Sequence, residues 1–141
     1  MLSALVPNEV TAQGSTGYQP LAYWSAQQTE VTPACRVDVG SAESISITIK
    51  VSRLTKCPFV VRSGGHAAFA GGSSIENGIL INMKPLNMVE LSEDRSTTSV
   101  GPGNTWYDVY TKLDPLKVSV VGGREAGVGV GGLTLGGKPL T

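Results

Sequence analysis

The sequence predicts an α+β fold: a small βαβ unit around residues 33 to 82, then an incomplete second unit of strands and one helix. Three observations carry this prediction. Short apolar stretches at 33–39, 58–61 and 79–82 have the length and β-branched content of buried strands. Parallel neighbouring strands need a crossover of about a dozen residues, usually a helix, and the stretch after Gly40 is long enough to supply one. Farther on, Trp106, Val109, Tyr110 and Leu113 fall at i, i+3, i+4 and i+7, which is one face of an amphipathic helix.

Residues 1–28 read as a turn-rich lead-in, with Gly14, Gly17 and Pro20 interrupting any periodicity; residues 29–141 read as the domain proper. Trp24 is expected to anchor the lead-in by burying its ring against the core. Residues 33–39 form the first strand, ended by Gly40, and Ser41 is suited to cap a helix with Glu43 in its first turn. The next stretch is ambiguous. Ile45, Ile47, Ile49 and Val51 alternate as in a strand, whereas the crossover requirement calls for a helix, and the helix is preferred. After the second strand, Glu76-Asn77-Gly78 signals a turn into the third, residues 79–82. Residues 89–91 and 97–100 flank a polar turn and read as a hairpin. Gly101-Pro102-Gly103 stops it, Thr105 caps the amphipathic helix, Pro115 ends that helix, and residues 118–121 read as a further strand.

Eleven basic and eleven acidic residues among 141 give no formal charge, which argues against nucleic acid or an anionic membrane surface as partner. No apolar run approaches a membrane span, and no signal peptide is visible. Nothing in the residue pattern points to a metal site. Ten of the 18 glycines lie in the last 41 residues, as suits tight turns and close backbone approaches.

The chemistry concentrates in Cys57 to Gly72, CPFVVRSGGHAAFAGG. An apolar strand runs directly into Arg62-Ser63-Gly64-Gly65-His66 and then into small residues. Paired glycines let the backbone take positive φ and bring successive N–H groups close to a bound phosphate. Arg62 can add charge and Ser63 a hydroxyl, and His66 is the only histidine of the chain. A second glycine-rich segment, Gly122 to Gly137, contains Gly127, Gly129 and Gly132 in the G-x-G-x-x-G spacing of dinucleotide-binding folds. Its context argues against that fold, because no helix can start at Gly132 and run through Gly136, Gly137 and Pro139.

With these motifs the chain resembles the berberine-bridge-enzyme-like FAD-linked oxidoreductases of the vanillyl-alcohol oxidase and p-cresol methylhydroxylase superfamily. The resemblance runs from about Tyr23 to Gly137 and implies a PCMH-type FAD-binding fold. It implies that FAD is the cofactor, with its pyrophosphate on Arg62, Ser63, Gly64 and Gly65 and its ring bonded covalently to His66. It implies that Gly122, Gly123, Gly127, Gly129, Gly131, Gly132 and Thr134 line the pyrophosphate and ring; each glycine can equally be there only to permit packing. A neutral imidazole is a nucleophile near pH 7, as such a link requires. The resemblance covers only the first part of the family's protein, so the chain is expected to be truncated, without a substrate domain and without catalytic residues of its own. Family members are often secreted.

The function implied is the FAD-binding portion of an oxidoreductase that passes a substrate hydride to flavin and then to dioxygen, with a small-molecule substrate in the complete enzyme. The alternatives are a flavin- or nucleotide-binding module without catalysis and an inactive truncated product. By themselves the 141 residues are expected to retain flavin weakly, without a covalent link, and to be poorly soluble. Cys35 and Cys57 each begin a strand. If those strands are parallel neighbours, about 4.8 Å apart, a disulfide between the two is expected.

Overall fold

The computed structural model describes residues 1–136, and the tail from Gly137 through Pro139 to Thr141 lies outside the described residues. In chain order the elements are α1 (Leu2–Leu5), β1 (Val10–Ala12), a 3₁₀ turn (Ala26–Glu30), β2 (Cys35–Asp38), α2 (Ala42–Thr55), β3 (Phe59–Arg62) and β4 (Ile79–Asn82). They continue with β5 (Val89–Leu91), β6 (Thr98–Val100), α3 (Trp106–Leu113), a second 3₁₀ turn (Asp114–Leu116) and α4 (Val130–Leu135).

Two sheets form two cores. The first sheet has the order β1-β2-β4-β3, with β2, β4 and β3 parallel and β1 antiparallel on β2. Its centre is β4, buried over all four residues. Val37, Val39, Ile79 and Ile81 pack there with Val6, and the isoleucines of α2 lie against them. The second sheet is the β5–β6 hairpin, in register from Val89 opposite Val100 to Leu91 opposite Thr98. Its core is Trp106, Val109 and Leu113 of α3 with Val130 of α4. Among the described residues no helix is long and apolar enough to cross a membrane.

The helical reading of 42–55 is correct, and the structure shows why periodicity misled. The most buried positions of α2 are Ser44, Thr48, Val51 and Ser52, a stripe at helical spacing made mostly of hydroxyls. Each finds a local partner: the Ser41 side chain caps the Ser44 amide, Thr48 donates to the Ser44 carbonyl (2.7 Å), and Ser52 donates to the Cys57 carbonyl (2.6 Å). The isoleucines flank this stripe and so appear to alternate. α3 begins as expected at Thr105 with a complete capping box, Asp108 closing back onto the Thr105 amide at 2.8 Å.

Four expectations need correction. The lead-in is not merely turn-rich, since β1 adds a strand to the main sheet. Residues 118–121 form no strand; Val118 and Val120 instead pack side-on against the α3 cluster, with no partner strand beside them. The glycine-rich segment contains a short helix that the sequence reading did not foresee, α4, although it stops before Gly136 and so does not run through the breakers, as expected. The disulfide is absent: Cys35 and Cys57 are both free thiols. β3 starts at Phe59, two residues after Cys57, and β4 lies between β2 and β3, so the two cysteines do not head neighbouring strands; the strands themselves are two spacings apart, roughly 9–10 Å, wider than a disulfide spans. Burial pushes the Cys35 thiol above its usual pKa, and the Cys57 sulfur adds to the shift.

Candidate functional site

β3 delivers the chain to the seam between the two cores. Arg62, its last residue, sits in register beside Asn82 and, through it, Asp38. These three side chains join a polar row across the strand ends. Asn82 donates to Asp38 at 2.6 Å, Arg62 donates to Asn82 at 3.4 Å, and Arg36 pairs with Asp38 at 2.8 Å. The Arg62 guanidinium also donates to the Ala22 carbonyl at 2.7 Å and lies 5.0 Å from the centre of the Tyr23 ring. Burial lowers its pKa. Arg62 is thus tied beneath the loop that follows it, where its guanidinium would meet any side chain placed at Gly65.

The loop itself touches the second core through bare backbone. A Cβ on Gly64 would lie 2.4 Å from the Gly129 nitrogen, and one on Gly129 would lie 2.2 Å from the Gly64 nitrogen. Ser63 closes the same seam with its hydroxyl, which donates to the Pro102 carbonyl at 2.6 Å and accepts from the Gly131 amide at 3.2 Å. Gly65 then takes a φ of +71°, the left-handed turn that glycine allows. Among the described residues, no protein acceptor receives the amides of Gly64, Gly65, His66 or Ala67. Gly65 is buried and the other three are half-buried at the loop surface, so these amides are free to donate to a bound group.

The lead-in holds this loop almost residue by residue. The Trp24 amide donates to the Gly65 carbonyl (3.3 Å), and the Ser25 hydroxyl donates to the Ala68 carbonyl (3.1 Å). Gln28 is fully buried. Its amide nitrogen donates to the carbonyls of Ala67 (3.2 Å) and Phe69, and its oxygen accepts from the Ser73 amide at 3.1 Å. The Trp24 ring stacks on the His66 imidazole, with centroids 4.6 Å apart and planes 18° from parallel. This corrects the expected burial of Trp24: the side chain is 64% exposed, because it covers the histidine and not the core.

A cavity of about 450 Å³ opens along the seam, within the size range of small-molecule sites. Of the residues singled out in the sequence, Ser63, Gly64, Gly65, His66, Gly129, Gly131 and Gly132 line it. Gly127 stands at its rim, where an added Cβ would lie 3.7 Å from the His66 ring. The others are elsewhere. Arg62 is below the loop, Thr134 is on the exposed side of α4, and Gly122 and Gly123 lie flat on the Trp106 ring. Met83, Pro102, Val128, Leu133 and Leu135 also line the cavity, and sequence reasoning did not single them out for this. Among the described residues, His66 is the only ionisable side chain in the wall. Unpaired loop amides, a cleft of backbone and apolar side chains, and one nucleophilic nitrogen suit a phosphate-bearing, largely aromatic cofactor.

Comparison with known proteins agrees with this geometry. A family described as "FAD binding domain" matches residues 33–138. The FAD-dependent monooxygenase tpcD of Cochliobolus heterostrophus is 50% identical over 115 residues, covering 82% of this chain and 22% of that protein. The FAD-dependent monooxygenase AOL_s00215g279 of Arthrobotrys oligospora is 40% identical over 139 residues, covering 97% and 27%. Among solved structures, 6-hydroxy-D-nicotine oxidase from Arthrobacter nicotinovorans superposes with a TM-score of 0.77 at 20% identity, over 86% of this chain and 27% of that one. The Physcomitrella patens BBE-like 1 protein gives 0.77 at 19% identity, over 93% and 29%. The chain therefore spans roughly a quarter of the length of the proteins it resembles.

Proposed function

The chain belongs to the FAD binding domain family, and on that premise we propose that the seam cavity holds FAD, with the Ser63–Ala67 loop on the pyrophosphate and His66 as the covalent attachment point. The observation that carries this reading is the row of unpaired loop amides ending at a histidine in the cavity wall. Amides of that kind neutralise a phosphate without a lysine. The division of labour then differs from a simple reading of Arg-Ser-Gly-Gly-His: Arg62 braces the loop, and the backbone takes the phosphate charge. Gly129, Gly131 and Gly132 form the opposite wall.

Bound flavin supplies two-electron chemistry, taking a hydride from a small-molecule donor and passing the electrons to an acceptor such as dioxygen. The described wall provides no acid or base for that exchange beyond His66. Binding and orientation are this segment's share of the work, and residues acting on substrate come from elsewhere in a protein of the relatives' length. The test is to express the chain extended to that length and precipitate it with acid. Yellow colour should stay with the protein, and His66→Ala should release it into the supernatant. Flavin still bound after precipitation of His66→Ala would move the attachment to another residue.

A further inference from the structure

We propose that Trp24, which lies outside the residues matched by the family, is a positioning residue that sets the plane of the His66 imidazole at the cavity wall. The proposal rests on the reading of His66 as the residue that meets the flavin.

His66 has few other constraints. No hydrogen bond to its ring nitrogens is made among the described residues, and the loop around it is built of glycine and alanine, which cannot brace an imidazole. The Trp24 indole supplies what is missing. It lies nearly parallel to the imidazole at 4.6 Å, an offset aromatic stack of the favourable kind. Gly127 leaves room for the ring edge without gripping it, since its added Cβ would be 3.7 Å from Cδ2 and 4.0 Å from Nε2. The backbone that carries the indole is tied to the loop. Its own amide bonds to the Gly65 carbonyl, one residue before the histidine, and Ser25 and Gln28 tie the following three carbonyls to the same short segment. Indole and imidazole are thus attached to one hydrogen-bonded frame, so their relative position is set before any ligand arrives. Preorganisation of this kind lowers the cost of binding and fixes an attacking atom in place.

The experiment uses the 141-residue chain, whose single histidine gives unambiguous ring-proton signals by NMR. In the free chain those signals should lie upfield, under the ring current of the indole. They should move downfield in Trp24→Ala and return most of the way in Trp24→Phe. FAD is then titrated and followed by flavin fluorescence anisotropy. Trp24→Ala should raise the midpoint about fivefold, Trp24→Phe should restore it to within about twofold, and Trp24→Ala should have no added effect in a His66→Ala background. His66 signals unmoved by Trp24→Ala would overturn the proposal. So would an equal loss of affinity in both backgrounds, which would mean that Trp24 contacts the flavin directly. If FAD shows no saturable binding to the unsubstituted 141 residues, the titration is repeated on the chain extended to the relatives' length, where absence of binding overturns the cofactor reading, and the free-chain ring signals alone decide whether Trp24 positions His66.

Discussion

A methyl group at Gly64 would stand 2.4 Å from the Gly129 nitrogen, and no side-chain movement can relieve a clash between two backbones. Gly64→Ala should therefore destabilise the chain by about 1–3 kcal/mol, the usual cost of overpacking. Gly132 lies a few residues away in α4 and faces open space, so Gly132→Ala should be neutral or stabilise by about 0.4–1 kcal/mol. Urea unfolding of the two variants measures the contrast, and equal behaviour would mean the seam is looser than it looks. Nothing in the two glycine-rich segments separates the two cases. That Ser63, Gly64, Gly65 and His66 share one loop was legible because the motif is contiguous; the cavity they line was not. Trp24 was not, because its partner lies 42 positions away, and a tryptophan's default use is burial. The sequence did not show that Arg62 stands outside the cavity lining, for a related reason. A cation next to a phosphate-type loop suggests the phosphate, but strand register hands it to Asn82 and Asp38 instead.

The β5–β6 turn shows how an element can carry its own pH dependence. Asp94 is fully exposed, yet its carboxyl is lowered to about 2 by the Ser92 hydroxyl, the Ser96 amide and the Ser96 hydroxyl. Its folded pKa lies below its ordinary value, so the turn's stabilisation is complete above about pH 4 and is lost as pH falls through about 2. Amide exchange at Ser96 and Thr97, compared at equal intrinsic rates, should lose protection on acidification over that interval; Asp94→Asn should show little of this change. Elements with a local signature, such as this hairpin and the capped helix α3, were readable in the sequence. α2 was decided by topology against its own apolar pattern. Residues 118–121 have strand composition, but a strand needs a neighbour to pair with, and composition cannot supply one.

At the scale of the molecule, two small cores meet at a seam held by few contacts, and Ser63 supplies two of them. Ser63→Ala leaves the Pro102 carbonyl and the Gly131 amide without that partner. It should cost about 1–3 kcal/mol in urea unfolding and weaken FAD binding, while His66 ring signals in the free chain stay in place. A Ser63→Ala chain that binds FAD as tightly as the parent would show that the seam closes without this bridge. The α+β class and the βαβ unit were legible, since three apolar runs and one crossover leave few arrangements. The strand order was not. Nothing in the runs themselves says that the third will insert between the first two, and the disulfide expectation failed on that single point.

The grip of residues 22–28 on the His66 loop also bears on where this protein can be cut. The match to the FAD binding domain family begins at residue 33, the natural place to start a shortened version for expression or crystallisation. A version starting there would keep every residue of the recognised motif. It would also strand the carbonyls of Gly65, Ala67, Ala68 and Phe69 and remove β1 from the sheet edge. The boundary drawn by similarity and the boundary drawn by hydrogen bonds differ by at least eleven residues, counting from Ala22 to residue 33, and a trimmed protein that failed to hold its ligand would say nothing against the motif.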